Sequence, residues 1–263
     1  FVSGAKSLGL PPNPDYNGST QEGVAYYQRM IRGGRRHSAA VGFLHPVRNR
    51  PNLHLKTQAH VEKIETTGRR VTGVTYTHQG KRCTGRAKSA VLLCAGTINS
   101  PQVLQLSGIG APSLLEPNNI PVIHPLEGVG ERLQDHYVAR VSRRVIHTKS
   151  LNHRSRGPRM VLETLNWLFR GRGLLSFSPA HVGVFLRSQN DLETPDLQFV
   201  FTPASYRAGI VGGLHSFAGM TCGVCQMRPQ SRGFVRINSP NPSQAPVIQP
   251  NYLQAEEDRE AII

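Results

Sequence analysis

Residues 96–110, Gly-Thr-Ile-Asn-Ser-Pro-Gln-Val-Leu-Gln-Leu-Ser-Gly-Ile-Gly, come directly after the apolar run Ala90, Val91, Leu92, Leu93 and Cys94. A short apolar run of this kind reads as a buried strand, and residues 96–110 read as a turn into a helix. Ser100 is a good N-cap, and Pro101 suits a first helical turn, where its missing N–H costs nothing. Gly108 stands where a helix needs a left-handed residue at its C-terminal end. A strand, a small-residue turn and a helix N-terminus together let backbone N–H groups approach a nucleotide or its phosphates. The centre of the chain is therefore expected to be α/β, with a ligand-approach turn between strand and helix.

The flanking sequence has a different texture. Residues 1–22 are rich in Gly, Pro, Asn and Ser and read as loop, 24–30 as a strand, and 38–44 as a short Ala-rich helix ended by Pro46. From Leu53 the pattern turns to period two. Residues 53–57, 60–66, 71–77 and 82–88 read as short strands, with turn signals at Thr67-Gly68 and Gln79-Gly80. After Gly110 comes a loop punctuated by Pro112, Pro117, Pro121 and Pro125, closing at His136. Beyond it, 137–147, 174–187, 196–202, 217–227 and the stretch from Arg236 read as strands, and 159–169 as an amphipathic helix. A further helix is expected from near Glu256.

With 263 residues the chain can bury a substantial core in one or two domains. It opens on Phe1 without a charged and apolar leader and stops inside the helix expected from Glu256, so it reads as an internal piece. No apolar run approaches the roughly 18–20 residues of a membrane span, which leads to an expectation of a cytoplasmic or membrane-peripheral protein. The formal charge of +15 invites a nucleic-acid reading. Yet no recognisable nucleic-acid motif or stacking platform accompanies it, and none is assigned. Among the four cysteines, Cys222 and Cys225 have the spacing of half a zinc or redox motif. They fall in a predicted strand, where residues three apart point to opposite faces, so no metal is assigned.

Several blocks in a fixed order resemble the glucose–methanol–choline (GMC) oxidoreductases, particularly their choline-dehydrogenase-like branch. These are Asp15-Tyr-Asn-Gly18 with Gln21-Glu-Gly-Val24; Gly34-Arg-Arg-His-Ser-Ala-Ala40; Arg50-Pro-Asn-Leu53; residues 96–110; and Val129-Gly-Glu-Arg-Leu-Gln-Asp-His136. Pro195-Asp-Leu-Gln198, Pro229-Gln-Ser-Arg-Gly233 and Pro250-Asn-Tyr252 continue the series. The resemblance implies an α/β (α+β overall) fold in two parts. One is part of an FAD-binding Rossmann-like domain carrying an antiparallel meander. The other is a mainly antiparallel substrate-binding sheet with flanking helices. Residues 1–45 would be shared between the two, 46–136 would belong to the FAD-binding domain, 137–250 to the substrate-binding domain, and 251–263 would begin the return.

The implied activity is oxidation of a small alcohol to an aldehyde or ketone by hydride transfer to FAD, with oxygen or a quinone-like carrier left open as acceptor. The family's Gly-rich phosphate loop and catalytic His segment have no counterpart in residues 1–263, so no catalytic residue is assigned and the isolated piece is expected to be inactive. Val61 matches the position that holds the adenine end, and Ala95 and Gly96 match positions passing close to FAD. His181 falls where choline oxidisers carry a Glu facing the quaternary ammonium, which argues against choline as substrate. His136 is expected to serve as a hydrogen-bonding residue at the domain junction. The helix at 159–169 is read as a core helix with a solvated rim, with a membrane-surface or acidic-substrate contact as the less favoured alternative. A second reading of the whole is a relative without flavin, acting as a basic binding domain.

Overall fold

The computed structural model describes residues 1–207 and 213–263. In chain order, helix α1 (Val2–Ser7) is followed by strands β1 (Gly23–Tyr26), β2 (Ile31–Arg32) and β3 (Arg35–Arg36). The meander comprises β4 (Ala59–Thr67), β5 (Arg70–His78) and β6 (Lys81–Arg86). Helix α2 (Gly96–Leu106), β7 (Ile109–Gly110), α3 (Pro112–Leu115), β8 (His124–Pro125) and β9 (Glu131–Leu133) come next. Then follow β10 (Val138–Arg144), α4 (Leu151–Arg154), α5 (Gly157–Arg170), β11 (Val182–Leu186), β12 (Leu197–Thr202) and β13 (Gly219–Gln226). β14 (Gly233–Arg236), β15 (Val247–Gln249) and α6 (Glu256–Ile262) complete the order. The chain divides into two compact units, one of Phe1–Leu53, His136–Arg228 and Glu257–Ile263, the other of His54–Asp135 and Pro229–Glu256.

The first unit is built on a five-stranded antiparallel sheet in the order β1-β11-β12-β13-β10. Val24 lies opposite Val184, Val184 opposite Phe199, and Val182 opposite Phe201. Side chains directly opposite share a face, so these residues form one apolar surface. Ala5 and Val2 of α1 pack on it, and the Phe1 ring stacks on Phe201 at 4.2 Å. The reverse face carries Gly183, Phe185, Gln198 and Cys225, with Tyr16 and Tyr27 laid over it. Cys222 pairs opposite Phe201 and Cys225 opposite Gln198, which puts the two thiols on opposite faces as expected. All four cysteines are free.

The second unit joins the β4-β5-β6 meander to α2, and β14 is flanked by β9 and β15. The meander forms where period two predicts it, its turns falling at Gly68 (φ +57°) and Gly80 (φ +73°). Leu115, Ile120 and Ile237 make a small core with Leu106, Leu114 and Val122 around it. Arg236 holds Glu131 by a two-pronged contact, 2.6 and 2.9 Å, across the β9–β14 pair. The result is mixed α/β with mostly antiparallel sheets.

Several expected elements differ. Residues 53–57 form no strand, and 38–44 give a π-helical turn (Ala40–Leu44) running into a 3₁₀ turn (His45–Val47). Gly42 and Pro46 weaken a regular α-helix there. Residues 90–94 are not a strand either, and Leu92 is exposed. A parallel-type strand exists only through its neighbours' hydrogen bonds, and none of the described residues supplies them. Helix α2 begins at Gly96 (φ +81°), so Pro101 lies inside it and Ser100 is no cap. The proline forgoes one bond, to the Thr97 carbonyl four residues back. Gly108 ends the helix with φ +77° as expected, and a β-carbon there would strike the Pro121 carbonyl.

Candidate functional site

Ala95 and Gly96 form the exposed N-terminal edge of α2. No side chain caps this end, so its first amides keep their hydrogen-bonding capacity toward an incoming group. A β-carbon built on Gly96 would meet nothing within 4 Å, which leaves the space above the turn open. Val61 lies on β4, an edge strand of the meander, and is partly exposed. One hydroxyl ties the two elements together. Ser107 Oγ, near the end of α2, receives the Ile64 amide of β4 at 2.8 Å and donates to the Val103 carbonyl. Val61 and Gly96 thus stand on elements of one unit locked to each other through Ser107.

His181 belongs to the other unit. Its backbone joins the sheet at the head of β11, receiving the Tyr27 amide and donating to the Phe201 carbonyl, both at 3.0 Å. The alternation His181, Gly183, Phe185 places it on the reverse face, with Gln198 and Tyr27. Its ring meets Phe177 edge-on at 5.3 Å, and the Arg29 guanidinium lies 5.6 Å over the same Phe177 ring. Burial pushes the imidazole below its ordinary pKa; the Pro179 backbone pulls the other way and Arg29 adds to the depression. His181 is therefore neutral at neutral pH.

Tyr27 is the main residue of this face that sequence reasoning missed. Its hydroxyl accepts from Gln198 Nε2 at 2.8 Å and donates to the Phe199 carbonyl at 3.3 Å. Burial pushes its pKa up to about 12. The available signal was Gly183, since a glycine inside an otherwise apolar strand marks close approach by another group. A β-carbon at Gly183 would lie 2.7 Å from the Tyr27 ring. Arg29 and Phe177, from two separate loops, left no comparable trace. His136 donates from Nε2 to the Met227 carbonyl at 2.9 Å, a structural bond within its unit. Among the described residues no group of three or more His, Cys, Asp and Glu is placed to hold a metal.

A family model described as GMC oxidoreductase matches residues 1–138, and a second of the same description matches residues 229–263. The chain belongs to the GMC oxidoreductase family. An oxygen-dependent choline dehydrogenase from Chromohalobacter salexigens is 38% identical over 263 residues, covering 99% of this chain and 47% of the relative. An alcohol dehydrogenase (acceptor) from Pseudomonas putida is 36% identical over 272 residues, covering 100% of this chain and 48% of the relative. A variant of the formate oxidase of Aspergillus oryzae RIB40, studied for its effect on FAD modification, superposes with a TM-score of 0.89 at 22% identity. That match covers 99% of this chain and 50% of the other. The chain spans about half the length of the curated relatives it matches.

GMC oxidoreductases are FAD-dependent, and the geometry around Gly96 fits such a group. A positive-φ glycine with open space above it, an uncapped helix N-terminus and an edge strand offering backbone groups are the donors and clearance that a dinucleotide requires. When bound, FAD supplies the acceptor for hydride.

Proposed function

We propose that this GMC chain contributes to a flavoenzyme that oxidises a small, uncharged alcohol to an aldehyde or ketone. The observation that carries the reading is the bare, left-handed Gly96 at the uncapped start of α2, in a chain of this family. Ala95 and Gly96 would lie against the cofactor, and Val61 would offer backbone to its adenine end. Residues 54–135 with 229–256 would form the FAD-binding part, and the five-stranded sheet of the other unit the substrate-binding part.

His181 would shape the choice of alcohol. A neutral imidazole with a guanidinium nearby gives a fixed cation such as choline no counter-charge and some repulsion. A neutral imidazole can instead exchange hydrogen bonds with a hydroxyl or carbonyl. On this reading choline is not the best substrate, although the relatives include choline dehydrogenases.

Purification of the intact protein tests both parts. The expected preparation is yellow, and its flavin band bleaches anaerobically when a neutral primary alcohol is added. Colourless protein that FAD does not reconstitute would overturn the flavoenzyme reading and favour a basic binding domain. Choline giving the highest kcat/KM would overturn the role assigned to His181 while leaving the flavoenzyme intact.

A further inference from the structure

His181 has two aromatic neighbours, and one of them is built into the sheet. Tyr26 pairs with Val182 across β1 and β11. The next step of that register sets Tyr27 opposite His181, where the Tyr27 amide donates to the His181 carbonyl at 3.0 Å. Residues directly opposite share a face, with their β-carbons about 5 Å apart. From there the Tyr27 ring leans diagonally over Gly183 and takes the room of the missing side chain. Its hydroxyl ends on the third strand, accepting from Gln198 Nε2 at 2.8 Å and donating to the Phe199 carbonyl at 3.3 Å. One side chain thus crosses β1, β11 and β12 and is tied down at its far end.

The loop before β1 secures the same ring. Tyr16 meets Tyr27 edge-on at 5.9 Å, stacks on Phe185 at 5.1 Å, and accepts the Gln28 amide at its hydroxyl at 2.8 Å. The Gln28 side chain donates to Asp15 and accepts from Asn17, both at 2.9 Å, so the loop is fastened beside β1. The other neighbour of His181 is Phe177, edge-on at 5.3 Å, which comes from the loop before β11. We propose that Tyr27 is a positioning residue for His181. Its tethered ring fixes the direction in which the imidazole projects, and so the place where a substrate hydroxyl or carbonyl meets it. The Tyr27 hydroxyl, spent on Gln198 and Phe199, serves as a tether rather than as an acid or base. Its bearing on the alcohol rests on the role proposed for His181; its hold on the ring does not.

The test compares the intact protein with Y27F, which keeps the ring but removes the tether, and with Q198M, which removes the other end of the same bond at similar volume. Nuclear Overhauser contacts between the His181 and Phe177 ring protons, in protein labelled at histidine and phenylalanine, should fall severalfold in both variants. With 1-butanol as the probe alcohol, kcat/KM should fall about fivefold in Y27F and in Q198M, the size of one hydrogen bond out of place. Y27F/H181A should be no slower than H181A alone, whereas a merely structural tyrosine would cost the same in both backgrounds. Thermal melting confirms that each variant folds, and Q198M keeps the test open if Y27F does not. Unchanged ring contacts in the variants, or a Y27F loss equal with and without His181, would overturn the inference. The ring contacts need no turnover, so they decide it even in a protein that holds no flavin. If they fall as expected while H181A leaves kcat/KM unchanged, Tyr27 does hold the ring, and the role proposed for His181 toward the alcohol is what fails.

Discussion

The side-chain amide of Gln105 occupies the space that a β-carbon on Gly130 would fill. From there, wholly buried, it donates to the Val129 and Val235 carbonyls, both at 3.1 Å, and accepts the Ile237 amide at 2.9 Å. One residue of α2 thereby satisfies the loop before β9 and the strand β14 together. Q105A should leave two carbonyls and an N–H buried without partners, a loss of about 3 kcal/mol or more. G130A meets both the Val235 carbonyl and a φ of +82°, and should cost at least as much. The two sites share one space, so Q105A/G130A should cost less than the sum of its singles by about 1 kcal/mol. Urea denaturation of the four proteins checks this, and strict additivity would contradict it.

Asn152 performs the corresponding task in the other unit. Fully buried, it donates from Nδ2 to the carbonyls of Ser205 (3.0 Å) and His215 (2.9 Å) and accepts at Oδ1 from the Ser205 amide (3.0 Å) and the Ser150 hydroxyl (3.1 Å). N152D turns a donor into an acceptor facing two carbonyls. About 3 kcal/mol should be lost at neutral pH. The introduced carboxyl should have a raised pKa, because burial and the carbonyls disfavour its charge. A group with a raised folded pKa contributes more as pH falls, so the deficit should shrink in acid, where the protonated carboxyl can again donate. Chemical denaturation at neutral and acid pH reads the difference; a deficit that grows in acid would contradict it.

Neither residue was legible in the sequence, because the backbone groups they hold lie 24 to 132 residues away. What was legible is local. The meander follows from alternation and from Gly68 and Gly80 at its turns, and the end of α2 from Gly108 in the left-handed region. The orientation of α5 was not, since its pattern alone says that the apolar side goes inward. Instead Val161, Leu162, Leu168 and Phe169 are exposed among the described residues, while Trp167 donates to the Gly34 carbonyl and Glu163 accepts the Leu174 amide. Residues 90–94 failed for a different reason: apolar composition permits a strand, but only partners make one. At the candidate site, motif resemblance placed His181 and Gly96, whereas Tyr27, Arg29 and Phe177 became visible only once the loops were in space.

His181 gives the protein an acid-sensitive element. Burial holds its folded pKa below the unfolded value of about 6.5. The neutral ring's favourable environment is therefore fully available above that value and is lost as pH falls through it, when the unfolded chain takes up a proton that the folded one resists. H181Q cannot be protonated and should lose less stability than the parent between neutral and mildly acid pH. Thermal melting across that range provides the comparison, and parallel curves would remove His181 from the account.

Gly96 separates cofactor binding from folding. A β-carbon there enters open space, so G96A should not clash with the protein, and its cost should be the strain of φ +81° alone. That strain is about 1–2 kcal/mol, a shift of a few degrees in melting temperature. If the cofactor passes over this turn, the added methyl group and any straightening of the backbone both fall on the contact itself. The flavin-to-protein ratio should then drop severalfold in a variant that still melts cooperatively. Alanine at Ser107, which frees the Ile64 amide, should give the opposite balance, a larger loss of stability with flavin lost only in proportion to unfolding. Equal flavin content in G96A and the parent would show that the turn lies away from the cofactor.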